Sequence, residues 1–198
     1  MIKPANLAIF LSGKGSNFAS ILSAITNGSL NAKVVVVISN NSAAGGLVIA
    51  SKNGIPTEVL VRENFASGED FGTTMLNVLK RHECDFIALA GYMRKIPSVV
   101  IRAFPKRIVN IHPALLPKFG GKGMYGHHVH EAVIAAGETE SGATVHFVDE
   151  IYDNGDVIGQ KSIPINSDET PESLANRVLE VEHQLYPEIL QQLVTRLN

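Results

Sequence analysis

From residue 7 to residue 90 the chain alternates short apolar runs with stretches whose apolar residues recur at helical spacing, and this alternation constrains the fold more than any other feature. Leu7-Ala-Ile-Phe-Leu11 is continuously apolar, the pattern of a strand covered on both faces; a half-exposed strand would alternate apolar with polar residues. A helix is predicted from near Ser16, because Phe18, Ile21, Leu22 and Ile25 fall three or four apart, and Asn27-Gly28 supplies its stop. Residues 33–38 form a β-branched run and a second strand. The spacing then predicts a short helix over 46–52 ended by Asn53-Gly54, a third strand over 56–60, a helix over 70–81 and a fourth strand over 85–90. Strands that alternate with helices this regularly pair in parallel, with the crossover helices covering both faces. The predicted fold class is therefore α/β, with a mostly parallel central sheet.

The second half continues the sheet. Arg107-Ile108-Val109 leads into Asn110 and His112, which should share one face of an emerging strand because side chains two apart point the same way. Pro113 and Pro117 remove backbone donors and hold the next segment as a fixed loop. Residues 142–148 then return toward the same edge and deliver Asp153, and 157–165 form another strand. Thr170 should cap a final helix with Pro171 at its first position and an apolar stripe from Leu174 to Leu193, kinked or interrupted at Pro187.

At 198 residues, 45% hydrophobic and 18% charged, the chain can bury one large core, and a single domain is expected. A net charge of -2 argues against a nucleic-acid partner, whose binders carry a basic excess. Cys84 is the sole cysteine, so no intrachain disulfide forms. The N-terminal apolar stretch is shorter than a secretion signal and no run approaches a membrane span, so no membrane partner and a cytoplasmic location are expected.

Three segments could carry chemistry. Ser12-Gly-Lys-Gly-Ser-Asn17 follows the first strand and opens a helix, where glycines let backbone N–H groups approach an anion and the helix dipole favours it. It lacks the Lys-Ser/Thr of a Walker loop and has Phe18 where a dinucleotide fingerprint needs glycine, which favours a lone phosphate; a tight turn capped by Ser16 would read the same way. An amide, an imidazole and a carboxylate at Asn110, His112 and Asp153 make an acid/base and oxyanion-binding set, although Asp153-Asn154-Gly155 is also a strong hairpin signal by itself. Gly91-Tyr-Met-Arg94 leaves the fourth strand where open α/β sheets bind ligands, or is an ordinary loop with Arg94 solvated. His127, His128, His130 and Glu131 lack zincin spacing and do not read as a metal site, His146 reads as a satisfied buried histidine inside its strand, and Cys84 as packing.

Taken together, SGKGSN at 12–17, ALAGYMR at 88–94, NIHPALLPKF at 110–119, SGATVHFVDEIYDNGDVI at 141–158 and RVLEVEHQLYP at 177–187 identify what the chain resembles. It is similar to the glycinamide ribonucleotide formyltransferases of purine biosynthesis, which use 10-formyltetrahydrofolate. The Asn, His-Pro-x-Leu-Leu-Pro and Asp elements also occur in formyltetrahydrofolate hydrolases and methionyl-tRNA formyltransferases. Those relatives carry an N-terminal regulatory domain or a basic C-terminal domain for which no room is expected here, whereas the 12–17 loop and Glu182-His183 match the glycinamide enzyme. The resemblance implies a Rossmann-like formyltransferase fold in one domain over 1–198, with a phosphate- and nucleotide-binding half over about 1–100 and a catalytic, folate-binding half over about 101–198.

The same resemblance implies that Asn110, His112 and Asp153 are catalytic, and that Met93, Arg94, Asn110, Val148, Asp149, Glu150, Ile151 and Tyr152 hold the folate co-substrate. It implies Gly15, Ser16, Asn17 and Glu182 as contacts to the ribonucleotide, no metal, small-molecule substrates only, and a monomer or homodimer. The implied reaction is direct attack of the amine on the formyl carbon. Asn110 and His112 would stabilise the oxyanion, and Asp153 would bond the imidazole, favour its charged form and help relay the proton. One departure is the loop Gly121-Lys-Gly-Met-Tyr-Gly-His127, longer than the proline-containing loop of the best-known members.

Overall fold

In the computed structural model, which describes residues 3–196, the apolar runs become one seven-stranded sheet in the order β3-β2-β1-β4-β5-β6-β7. In chain order the elements are β1 (Ala5–Leu11), α1 (Ser16–Thr26), β2 (Ala32–Ser39), α2 (Gly45–Lys52), β3 (Thr57–Val59), α3 (Gly68–Arg81) and β4 (Phe86–Leu89). There follow α4 (Ser98–Ala103), β5 (Ile108–His112), α5 (His127–Ala135), β6 (Glu140–Phe147), β7 (Val157–Pro164) and α6 (Pro171–Arg196). The first five strands pair in parallel, while β6 runs antiparallel to β5 and β7 antiparallel to β6. The predicted α/β architecture with a mostly parallel sheet is thus observed.

Every residue of β1 is buried, as its unbroken apolar run requires. Its side chains divide between two cores: Leu7, Ile9 and Leu11 pack with Phe18 and Ile21 of α1 and the apolar stripe of α6. Ala8 and Phe10 pack on the opposite face with Phe71, Met75 and Leu79 of α3 and Val100 of α4. Because the chain runs outward from β1 to β3 and then returns to place β4 on the other flank of β1, the connections after β1 and β4 diverge. That divergence opens a crevice beyond the carboxyl ends of these strands.

The structure departs from the sequence reading at four places. Helix α1 has Gly15 in the left-handed conformation as its N-cap, with no side-chain cap, so Ser16 begins the helix and does not cap it. A Cβ at Gly15 would lie 2.7 Å from the Gly46 Cα, so this turn is built against α2 as well as toward the cleft. Helices α4 and α5 were not anticipated, the former being short and the latter carrying only Val129 and Val133 as apolar core residues in a histidine-rich stretch. Finally, α6 runs unbroken through Pro187: the ring is buried, and flanking Leu185, Tyr186, Ile189 and Leu190 anchor both turns in the core, offsetting the lost N–H. The predicted cap is present, with Ser173 N–H donating to Thr170 Oγ1 at 3.1 Å.

The antiparallel extension depends on close strand approach at Gly142 in β6. A Cβ there would lie 2.1 Å from the Lys161 carbonyl oxygen and 2.9 Å from the Ser162 Cα, backbone atoms that cannot rotate aside. Gly142→Ala should therefore destabilise the fold by about 1–3 kcal/mol, lowering the melting temperature by roughly 2–10 °C for a chain of this size. An unchanged melting temperature in calorimetry would contradict the β6–β7 register.

Candidate active site

The ends of β1, β4 and β5 open on one cleft of about 870 Å³, within the size range of small-molecule sites. Asn110 and His112 occupy alternate positions of β5 and so share a face, as expected. Antiparallel pairing then sets Asn110 opposite His146 and His112 opposite Thr144 on β6. The cross-strand consequence is direct: Asn110 Nδ2 lies 3.2 Å from His146 Nε2, and His146 Nδ1 lies 2.8 Å from the Phe147 carbonyl oxygen. The carbonyl can only accept, so the His146 proton sits on Nδ1 and its Nε2 accepts from the Asn110 amide. That leaves the second Nδ2–H of Asn110, a cleft-lining residue, uncommitted among the described residues.

His112 is held by the loop that follows it. Thr144 Oγ1 donates to the Ala114 carbonyl at 2.6 Å and accepts from Leu116 N–H at 3.1 Å, and Gln160 Nε2 donates to the Leu116 carbonyl at 2.8 Å. The anchored loop delivers the Phe119 carbonyl to His112 Nε2 at 2.8 Å, which places the proton on Nε2 and turns Nδ1 toward Asp153. Asp153 lies in the connection between β6 and β7, in the left-handed region at φ 54°. Its Oδ2 accepts from Gly121 N–H at 2.9 Å and lies 3.7 Å from His112 Nδ1, and its Oδ1 is 3.6 Å from His146 Nε2. The amide, imidazole and carboxylate therefore meet in the cleft. The connection from β6 to β7 is a loop over 148–156 and not a two-residue hairpin turn, because Asp149 organises it by accepting from Ile151 N–H and Asn154 Nδ2.

The remaining sequence-derived residues fall in different places. Gly15, Ser16 and Asn17 line the cleft at the start of α1, and Glu182 of α6 joins them, its Oε2 accepting from Asn17 Nδ2 at 2.6 Å. Met93, Arg94, Val148, Asp149, Ile151 and Tyr152 also line the cleft, with Met93, Ile151 and Tyr152 exposed there. Arg94 reaches Glu63 at 3.3 Å on the rim. Glu150 is not part of the cleft wall; it is exposed and pairs with Arg102 at 3.7 Å. Three histidines that the sequence analysis did not assign to the site belong to its wall: His146, satisfied and buried as expected, and His127 and His130 on α5, of which His130 is buried with no partner for Nδ1 among the described residues. The signal for His146 was its even spacing from Thr144 in a strand facing Asn110, whereas His130 sits on a helix that was not anticipated.

Burial dominates the electrostatics. It pushes the His112 imidazole below its ordinary value of 6.5, against the Asp153 charge and the Phe119 carbonyl, which both raise it. Asp153 acts in the expected sense, favouring the charged imidazole, but desolvation of the cation outweighs a carboxylate 3.7 Å away and the net shift is downward. Burial likewise pushes the carboxyl of Asp153 up, but His146, His112 and the Gly121 N–H together hold it below the usual carboxylate value. His130 is pushed down to about 4 by burial, with His127 and His112 adding to the shift. Glu182 goes the other way, burial pushing it up to about 7 against its bond from Asn17.

Comparison with known proteins places these features in context. The formyl transferase profile matches residues 5–190. The chain is 45% identical over 185 residues to a chloroplastic phosphoribosylglycinamide formyltransferase of Arabidopsis thaliana, covering 93% of this chain and 63% of that protein. It is 37% identical to a phosphoribosylglycinamide formyltransferase of Haemophilus influenzae, covering 93% of this chain and 84% of the other. Among solved structures, glycinamide ribonucleotide transformylase 1 from Symbiobacterium toebii superimposes with a TM-score of 0.92 at 32% identity, covering 99% of this chain and 90% of that one.

A carboxyl that titrates near 7 when folded and near 4.5 when unfolded binds more protons in the native state between those values. Its contribution to stability is therefore fully present below about 4.5 and is lost as pH rises toward about 7. Buried histidines run in the opposite sense, so the effect is read as a difference between two proteins. Melting temperatures of the unaltered chain should fall relative to Glu182→Gln as pH rises from 4.5 to 7 and the gap should then level off; a constant gap would show that Glu182 is already ionised in the folded state.

Proposed function

The chain belongs to the formyl transferase family, and from that premise we propose that it transfers the formyl group of 10-formyltetrahydrofolate to the amine of glycinamide ribonucleotide in purine biosynthesis. The products are formylglycinamide ribonucleotide and tetrahydrofolate. The observation that carries this reading is the convergence, in one cleft, of Asn110, His112 and Asp153 with the open N-terminus of α1. On this reading the backbone of Gly15, Ser16 and Asn17 receives the phosphate, and Glu182 contacts the ribose or glycinamide part. Met93, Arg94 and the 148–152 segment hold the folate, whose flat ring system suits the exposed side chains of Met93, Ile151 and Tyr152. Residues 1–100 thus supply the phosphate cradle and residues 101–198 the catalytic groups and much of the folate wall. A monomeric or homodimeric cytoplasmic enzyme needing no metal completes the proposal.

The chemistry follows from the proton positions. As the amine attacks, a C–N bond forms and the formyl oxygen becomes an oxyanion, which the uncommitted Nδ2–H of Asn110 stabilises, with His146 fixing the orientation of the amide. His112 begins neutral, its proton directed at Phe119, and its Nδ1 together with the ionised Asp153 is the proton-accepting pair. Taking up the amine proton makes an imidazolium that Asp153 stabilises only once it has formed, which is the differential stabilisation catalysis requires. The same proton then passes, directly or through water, to the folate nitrogen as its C–N bond breaks. Lowering of the His112 basicity by burial thus equips the residue to release the proton as well as accept it.

The direct test is to follow tetrahydrofolate formation by purified protein with and without the ribonucleotide. Folate product should form only when the nucleotide is present; equal formation without it would make the protein a hydrolase, and none in either case would end the reading. Asp153→Asn preserves size but removes the proton-accepting charge, so turnover should fall about a hundredfold or more, with His112→Ala similar. The double variant should lose far less than the product of the two, since the pair acts as a unit. A folded and fully active Asp153→Asn protein would overturn the mechanism.

A further inference from the structure

Helix α6 sends a second residue toward the same strand ends, one turn beyond Glu182. Tyr186 is completely buried and does not line the cleft, yet its hydroxyl lies 3.1 Å from the Leu89 carbonyl oxygen and 3.0 Å from that of Val109. A phenol has one proton, so it is shared between the two acceptors. Those acceptors sit on neighbouring strands at the point where they separate: Leu89 is the last residue of β4, and its register partner across the ladder is Asn110. Beyond Leu89 the chain becomes the wall containing Gly91, Met93 and Arg94, and Val109 is followed directly by Asn110. Packing alone would require only the ring, which phenylalanine also supplies, whereas burying a hydroxyl is unfavourable unless it is bonded.

We infer that Tyr186 is a positioning residue: its hydroxyl fixes the spacing between the folate wall that leaves β4 and the Asn110 amide that leaves β5. This rests on the formyl-transfer reading, and it goes beyond it by assigning a role to a residue that touches neither substrate. Losing the hydroxyl lets the two strand ends shift relative to one another. Each half-site stays intact within itself, but the formyl carbon and the oxyanion donor are brought together less well. Misalignment of this kind lowers turnover without weakening the binding of either ligand alone.

The test compares Tyr186→Phe with Leu190→Ala, a buried core residue one turn further along α6 that makes no such hydrogen bond. For Tyr186→Phe, kcat should fall about tenfold or more, while the dissociation constants of 10-formyltetrahydrofolate and of the ribonucleotide, each measured alone, stay close to those of the unaltered protein. Leu190→Ala should show the reverse, a lower melting temperature with kcat retained below it. Unaltered kcat in Tyr186→Phe overturns the inference. So does a loss of kcat accompanied by weakened binding of both ligands and a melting-temperature drop like that of Leu190→Ala, and so does failure of Tyr186→Phe to fold, because each makes the hydroxyl a structural anchor only. Absence of transfer by the unaltered protein would instead overturn the activity reading itself, and this inference with it.

Discussion

A carboxylate withdrawn from water loses solvation on the order of several kcal/mol; Asp153 accepts from the Gly121 N–H and has the rings of His112 and His146 within 3.7 Å, where a proton taken up by either imidazole would compensate it. Each of those partners is fixed by a different part of the chain. Gly121 belongs to the segment after the double-proline loop, His112 to the end of β5 and His146 to β6. Asp153 thus ties the connections around the cleft to the sheet. The left-handed backbone at Asp153 and the absence of room for a side chain at Gly155, where a Cβ would lie 1.9 Å from the Phe147 carbonyl oxygen, both serve to present this carboxylate inward.

The sheet explains why those partners meet. Parallel strands all end on the same side, so β1, β4 and β5 deliver their following residues to a common crevice. The antiparallel return of β6 adds what a purely parallel sheet could not, a histidine directly opposite Asn110 whose ring nitrogen accepts from the amide. Helix α6, lying across the face of the sheet with Glu182 and Tyr186 one turn apart, links the start of α1 at the cleft to the strand ends. Catalytic geometry is thus specified by backbone register, and the side chains inherit their separations from it.

Much of this was legible in the sequence because it depends on local periodicity. The unbroken run at 7–11 fixed β1 as a central strand, and spacing of two set Asn110 and His112 on one face. What escaped depends on contacts between distant segments. The hydrogen bond from Asn110 to His146 requires the β5–β6 register, and the downward shift of His112 comes from its burial in the folded chain. A reading by resemblance assigned the whole of 148–152 to the folate wall, while the observed loop turns Glu150 outward to Arg102. Helix α5 stayed hidden because its buried apolar residues, Val129 and Val133, are a single pair in a short histidine-rich stretch and carry little periodic signal, and with it went the buried His130.

The central claim is that the site holds an ionised carboxylate beside a neutral imidazole that becomes charged only during proton transfer. Nuclear magnetic resonance titration of the ring nitrogens of His112 measures this directly, in the unaltered protein and in Asp153→Asn. The imidazole should titrate below its ordinary value of 6.5, with the proton on Nε2 when neutral, and should titrate lower still when the Asp153 charge is removed. A His112 that is protonated at pH 7, or one whose titration is indifferent to Asp153→Asn, would contradict it.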